Sequence, residues 1–339
     1  MRTSDFDYEL PEVRIAQSPC EPRDAARLLV DRGTSGATVQ YEHRHVRDLP
    51  ELLRAGDLLV VNDTRVLPAR LHLARRSGGR TEVLVLEPLD GRQWTALVRP
   101  GGRLKNGEPL VDRAGHEVLR FLGRGDDPDV FVVEFLGSEP VETTLDRLGE
   151  MPLPPYITAP VENPDRYQTV YSRRSASSAA PTAGLHLTPE LMARLHDASI
   201  DVARVELVVG LDTFKPVSVD DPRDHVIHSE SFNVDEPTLE RISTAERVVA
   251  VGTTSVRTIE TAFTTGRTTG RTDLFIHRGY DWKRVDVMMT NFHMPRTTLL
   301  LMIDAFVGSR WRDLYDVALD AHYRFLSFGD AMLLDRHAS

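Results

Sequence analysis

Four short clusters in this 339-residue chain have the residue types and spacing to do chemistry. Gly252-Thr253-Thr254-Ser255 follows the apolar run Val248-Val249-Ala250-Val251 and leads into the helical pattern Val256-Arg257-Thr258-Ile259-Glu260. A glycine after a strand permits a tight turn, and the free amides of a helix start, with hydroxyls beside them, can receive an anion such as a carboxylate. Ordinary Ser/Thr capping writes the same letters. His228-Ser229-Glu230 puts an imidazole and a carboxylate on one face of a strand, an arrangement that tunes a histidine for proton transfer near neutral pH. A solvated surface histidine is the plainer alternative. Asn291-Phe292-His293 repeats that spacing just after an expected strand over residues 285–289, at the edge where open sheets bind ligands. Ala179-Ala180-Pro181-Thr182-Ala183-Gly184-Leu185-His186 crowds small residues ahead of a histidine. Small residues let a ligand approach the backbone, which would place Thr182, Gly184 and His186 beside it, whereas a plain linker needs no ligand.

These clusters need elements to hold them. The run Leu58-Leu59-Val60-Val61 reads as the first clear strand and ends in Asn62-Asp63-Thr64-Arg65, a polar cluster where α/β proteins place chemistry. Over residues 71–137 short β-rich runs alternate with the turn signals Gly78-Gly79, Asp90-Gly91, Gly101-Gly102 and Asn106-Gly107, which predicts a small all-β barrel or sandwich. Beyond the proline-rich stretch 151–156, helices are expected from Thr188-Pro189, from Asp235, and over 255–263, 297–306 and 312–321. Strands are expected over 202–209, 248–251, 273–276 and 285–289. The expectation is an α/β main domain, residues 1–70 and 151–339, with a small all-β domain inserted over 71–150.

Composition narrows the function classes. The 41 Lys and Arg against 51 Asp and Glu give a net charge of −10, and 41% hydrophobic residues suit a packed globular protein. A single cysteine, Cys20, rules out an internal disulfide and a thiolate metal cluster. His225 lies three residues before His228, but no HExxH accompanies them, so no metal is expected. GxGxxG, Walker A and GxSxG patterns are absent. Without an apolar signal core or a run of about 18 apolar residues, a cytoplasmic protein without membrane contact is expected. Between residues 70 and 124 there are 11 Lys and Arg against 6 acids, a basic segment that with Trp94 would suit an RNA backbone. Charges guarding solvated strand edges explain it equally.

Taken in order, Phe6-Asp7-Tyr8-Glu9-Leu10-Pro11, the stretch from Gly56 through Asn62-Asp63-Thr64-Arg65 to Arg70, the AAPTAGLH run, Gly252-Thr253-Thr254-Ser255-Val256-Arg257-Thr258, Thr290-Asn291-Phe292-His293-Met294-Pro295 and the closing Tyr323-Arg324-Phe325-Leu326-Ser327-Phe328-Gly329-Asp330 resemble one family. It is the S-adenosylmethionine:tRNA ribosyltransferase-isomerases of queuosine biosynthesis, and the resemblance runs through almost the whole chain. It implies an α/β domain with an inserted β-barrel, S-adenosylmethionine as a consumed co-substrate with no cofactor, and a tRNA partner; a monomer is expected. The implied reaction moves the ribosyl part of S-adenosylmethionine onto a 7-aminomethyl-7-deazaguanine at the tRNA wobble position, giving epoxyqueuosine, adenine and methionine. The sulfonium acidifies the adjacent C5′ hydrogens, so a positioned base can start the sequence without a metal. On this reading His186 or His228 is the base, with Glu230 as its orienter, and Thr253, Thr254 and Ser255 hold the methionine carboxylate with Arg257 close behind. Asn62, Asp63 and Arg65, with Asn291 and His293, hold the nucleoside.

The chain departs from the family pattern at Leu187, Val208, Asp212, Lys215, His277, Arg278 and Asp304, and lacks a glycine near Ala176. These departures motivate a second reading, the same ribosyl transfer to a different, small-molecule acceptor. A non-catalytic RNA-binding protein is a third, disfavoured by the retention of polar strand-end motifs.

Overall fold

The continuous apolar runs Leu58–Asn62, Val248–Val251 and Val287–Asn291 become adjacent parallel strands with every residue buried, as strands covered on both faces require. The computed structural model describes residues 1–125, 129–161, 163–210, 216–227 and 229–337. It contains two compact units, one of Met1–Thr64, Pro154–Arg174 and Ala180–Ser339, the other of Arg65–Leu153 with Ser175–Ala179.

In the first unit a nine-stranded mixed sheet runs, edge to edge, through Thr269–Thr272, Glu230–Asn233, Asp201–Leu207, Leu58–Asn62, Val248–Val251, Val287–Asn291, Ala331–Asp335, Arg27–Ser35 and Thr38–His45. The four central strands from Asp201–Leu207 to Val287–Asn291 are parallel, so their carboxyl ends share one side. Helices cover them with caps that the sequence announced. Thr188 accepts from the Leu191 amide, Asp235 from Thr238 and Thr297 from Leu300, opening Pro189–Asp197, Glu236–Thr244 and Thr298–Val307. Beneath them the core gathers Val30, Leu59, Val61, Leu187, Leu191, Val249 and Met289.

Two strand expectations need correction. Arg27–Ser35 and Thr38–His45 precede Leu58 and form an edge ribbon whose polar outer half carries no long apolar signal. The strand expected at 273–276 lies earlier, at Thr269–Thr272, because the Thr272 hydroxyl accepts the Leu274 amide at 3.2 Å and turns the chain out of the ladder.

The second unit is a closed six-stranded antiparallel barrel in the order Arg70–Arg75, Arg80–Pro88, Gln93–Arg99, Phe131–Phe135, Glu117–Arg124, Pro109–Val111. The ring is shut by the pair Ala74↔Val111. Alternation fills its interior: in Gln93–Arg99 the residues Trp94, Ala96 and Val98 point inward. Trp94 packs edge-on against Phe135, so it is core and not an exposed stacking ring. Among the described residues no helix is long and apolar enough to cross a membrane.

Candidate active site

Where the parallel strands of the first unit end, their polar termini wall a cavity of about 610 Å³, counted to its open mouth. Val209, Gly252 to Thr254 and Thr290 to His293 line it from the strand ends, and Tyr156, Thr182 and Leu326-Ser327 close it from three other segments. A second groove, beside Asp57 and Asp201, lies at the amino ends of the same strands, the side of an open sheet that ligands do not use.

One wall is the start of helix Thr253–Thr265. Gly252 precedes it at φ 85°, a left-handed conformation that suits glycine, and carries the chain straight from strand to helix. The Ser255 hydroxyl donates to the Val251 carbonyl, four residues back, at 2.8 Å and is spent inside the protein. Thr254 differs: the residue lines the cavity, and its buried Oγ1 has no hydrogen-bond partner among the described residues. Beside the free amides of a helix start, that oxygen is available to a ligand.

The opposite wall is built on Thr290-Asn291-Phe292-His293. The His293 Nε2 meets the Thr290 hydroxyl at 2.9 Å. Its backbone amide donates to the Tyr315 hydroxyl at 3.0 Å, and its carbonyl accepts from the Tyr8 hydroxyl. Burial pushes the imidazole down to about pKa 3, so His293 is neutral near pH 7. Asn291 accepts from the Thr182 hydroxyl at 2.9 Å and donates to the Leu326 carbonyl at 3.1 Å. Leu326 holds φ 69°, a conformation that costs a leucine about 1–3 kcal/mol, and its amide is tied to the Phe292 carbonyl at 3.1 Å.

His186 lies outside this cavity's lining, in the wall of a smaller one with Arg23 and Arg166. Its Nδ1 faces the Ala183 carbonyl at 3.0 Å and its Nε2 the Gly329 carbonyl at 2.9 Å. Burial lowers its pKa, with the two carbonyls pulling the other way. Both ring nitrogens are directed at backbone carbonyls and the residue is not in the lining of the larger cavity, so the expected role as base has no support in this geometry. Gly184 is a packing residue, since a Cβ there would stand 2.0 Å from the Tyr171 hydroxyl.

Three further expectations change. Glu230 is buried in an ion pair with Arg257 and accepts the Gly210 amide at 2.9 Å, so its carboxylate anchors chain beside Val209. Arg257 is correspondingly turned to Glu230 and to the carbonyls of Leu274 and Thr272. Asn62 is fully buried and stitches strand ends: it donates to the Leu207 carbonyl at 3.1 Å and accepts from the Leu207 and Thr64 amides at 3.2 Å. Asp63 is a half-buried carboxylate whose pKa burial raises, with Arg173 3.8 Å away. Arg65 belongs to the second unit. His228, Asp212 and Lys215 lie outside the described residues.

The cavity therefore brings together Thr182, Thr253, Thr254, Asn291 and His293. Sequence reasoning missed Tyr156, whose hydroxyl meets Ser327 Oγ at 2.7 Å and is pushed up to about pKa 12 by burial, as well as Val209, Leu326 and Ser327. The closing motif contained Leu326 and Ser327, but only the fold directs them to this wall. No group of three or more His, Cys, Asp or Glu able to hold a metal occurs among the described residues.

A family model described as queuosine biosynthesis protein matches residues 3–334. The S-adenosylmethionine:tRNA ribosyltransferase-isomerase of Symbiobacterium thermophilum is 49% identical over 98% of this chain and 100% of its own length. The Staphylococcus aureus protein of the same name is 43% identical over 98% and 100%. The crystal structure of S-adenosylmethionine tRNA ribosyltransferase from Thermotoga maritima, 37% identical, superposes with a TM-score of 0.55 over 97% of this chain and 99% of that one. From end to end, then, the chain belongs to the queuosine biosynthesis family of S-adenosylmethionine:tRNA ribosyltransferase-isomerases.

Proposed function

We propose that the cavity is the S-adenosylmethionine site of a tRNA ribosyltransferase-isomerase, the activity that names the relatives. The observation that carries this is the unpartnered Thr254 hydroxyl at a helix start, on a residue that lines the same cavity as a histidine held neutral by burial. The helix amides with Thr253 and Thr254 take the methionine carboxylate. His293 carries no charge and so does not repel the sulfonium, while Thr182 and Asn291 fix the loop over the ribose.

The sulfonium makes a C5′ proton removable, adenine leaves with a proton from the site, the aminomethyl group attacks the opened sugar, and methionine leaves as the epoxide closes. A histidine with both nitrogens against carbonyls, or one with a pKa near 3, is a poor base for the first step. His228, two residues from the anchored Glu230, is therefore assigned that role.

Wild-type protein given S-adenosylmethionine and tRNA carrying the aminomethyl-deazaguanine should release one adenine and one methionine for each epoxyqueuosine formed. His228→Gln should slow adenine release by about 100-fold or more. Release only with a small-molecule acceptor would transfer the reading to that acceptor, and near-normal release in His228→Gln would remove the base assignment.

A further inference from the structure

One rim of the barrel gathers exposed cations. The strand registers bring the carboxyl ends of Arg70–Arg75, Gln93–Arg99 and Glu117–Arg124 and the amino end of Arg80–Pro88 to that rim. Arg80, Arg99, Arg103, Lys105 and Arg124 are all exposed there. The opposite rim, where the chain enters at Arg70 and leaves through Glu150, carries Asp90, Asp112 and Glu139 together with the exposed Arg113 and with Arg92, which is bonded to the Phe135, Leu136 and Glu139 carbonyls. At the basic rim Glu108 is engaged by Arg75, and Arg76 reaches along the wall to Glu117. The other acids there are Glu82, across the ladder from Arg99, and Asp129. Asp126 and Asp127, between Arg124 and Asp129, lie outside the described residues.

The cations stand on a braced loop. Gly101 packs so closely on the Phe131 ring that a Cβ would come within 2.5 Å of it, and the Leu104 amide closes a turn onto the Gly101 carbonyl at 3.1 Å. Asn106 is pressed against Gly123, which holds the loop beside Arg124, and the Arg124 guanidinium lies 5.7 Å from the Phe131 ring centre. Basic groups gathered on a rigid backbone, on a chain of net charge −10, suit a polyanion with spaced charges.

We propose that this rim takes up backbone phosphates of the tRNA substrate, an inference that rests on the proposed function for its choice of polyanion. Arg103→Glu/Lys105→Glu should weaken tRNA binding at least tenfold near 0.15 M salt. It should also make the plot of log affinity against log salt shallower by roughly 0.7–0.9 for each phosphate the rim no longer neutralises. Turnover at saturating tRNA and the affinity for S-adenosylmethionine should stay unchanged. Arg54→Glu/Arg267→Glu makes the same change in net charge at exposed positions outside the barrel and should leave binding near wild type. Binding within twofold of wild type in the rim variant, or an equal weakening in the charge-matched variant, overturns the proposal. Either result leaves the catalytic reading standing, whereas wild-type protein that binds tRNA through the rim without modifying it would refute the catalytic reading alone.

Discussion

A buried hydroxyl without a partner destabilises a protein by about 1–3 kcal/mol unless a ligand completes it. Thr254 carries such a group at the cavity wall, while its neighbour Ser255 does not, because the Ser255 hydroxyl is bonded to the Val251 carbonyl. Thr254→Val keeps the shape and removes only the oxygen. It should weaken S-adenosylmethionine binding by about 10-fold or more, the worth of one hydrogen bond to a charged group. The thermal midpoint should hold or rise, since no internal bond is removed. Titration calorimetry and a melting curve on the same variant separate the possibilities: a lower midpoint with unchanged affinity would mean the hydroxyl serves the fold. The letters Thr-Thr-Ser could not tell a hydroxyl bonded back to the chain from one left for a ligand, because that depends on which oxygen finds the carbonyl four residues back. His186 shows the same limit: its small-residue surroundings were legible, but the carbonyls facing both its nitrogens come from Ala183 nearby and from Gly329, 143 residues away.

At the level of strands and loops, residues that looked catalytic prove to hold the frame of the site. Asn62 joins the ends of Leu58–Asn62 and Asp201–Leu207, and Asn291 and His186 hold the loop 324–330 that contributes Leu326 and Ser327 to the cavity wall. Asn62→Ala leaves the Leu207 amide and carbonyl and the Thr64 amide without that partner inside the protein. A loss of about 2–4 kcal/mol in urea unfolding is expected, together with a KM for S-adenosylmethionine within about threefold of wild type. A large rise in KM at unchanged stability would return Asn62 to the substrate. That polar residues gather at strand ends was readable from Leu58 to Arg65, because an apolar run stopping at Asn-Asp-Thr-Arg marks the boundary. Which of them turn inward to neighbouring backbone was not readable, since it depends on strand order.

Across the whole molecule, the alternation of strands and helices and the turn-punctuated β segment were legible because both faces of the central strands are buried and barrel strands such as Gln93–Arg99 and Phe131–Phe135 alternate. Thr38–His45 gives no such signal because it is an edge strand and mostly exposed, and in Arg27–Ser35 the buried run is short and ends at Asp31. The departures from the family pattern were legible as letters, but their meaning required the fold. Leu187 and Val208 are buried away from the cavity lining, and Arg278 makes a two-pronged contact with the Asp304 carboxylate at 3.0 and 2.7 Å. Asp304 is 2% exposed and also accepts from the Trp311 indole at 3.1 Å. Two of the departures thus compensate each other, and neither lines the cavity, so the motive they gave for a different acceptor weakens. Arg278→Ala leaves the buried carboxylate with only the indole, and Asp304→Ala leaves the guanidinium and the indole without their acceptor. The double variant removes the pair together, so its destabilisation should fall short of the sum of the singles by about 1 kcal/mol in a double-mutant cycle. Modification of tRNA by the double variant should stay within about threefold of wild type at a temperature where it is folded. A change of acceptor on breaking the pair would show that these positions read the substrate after all.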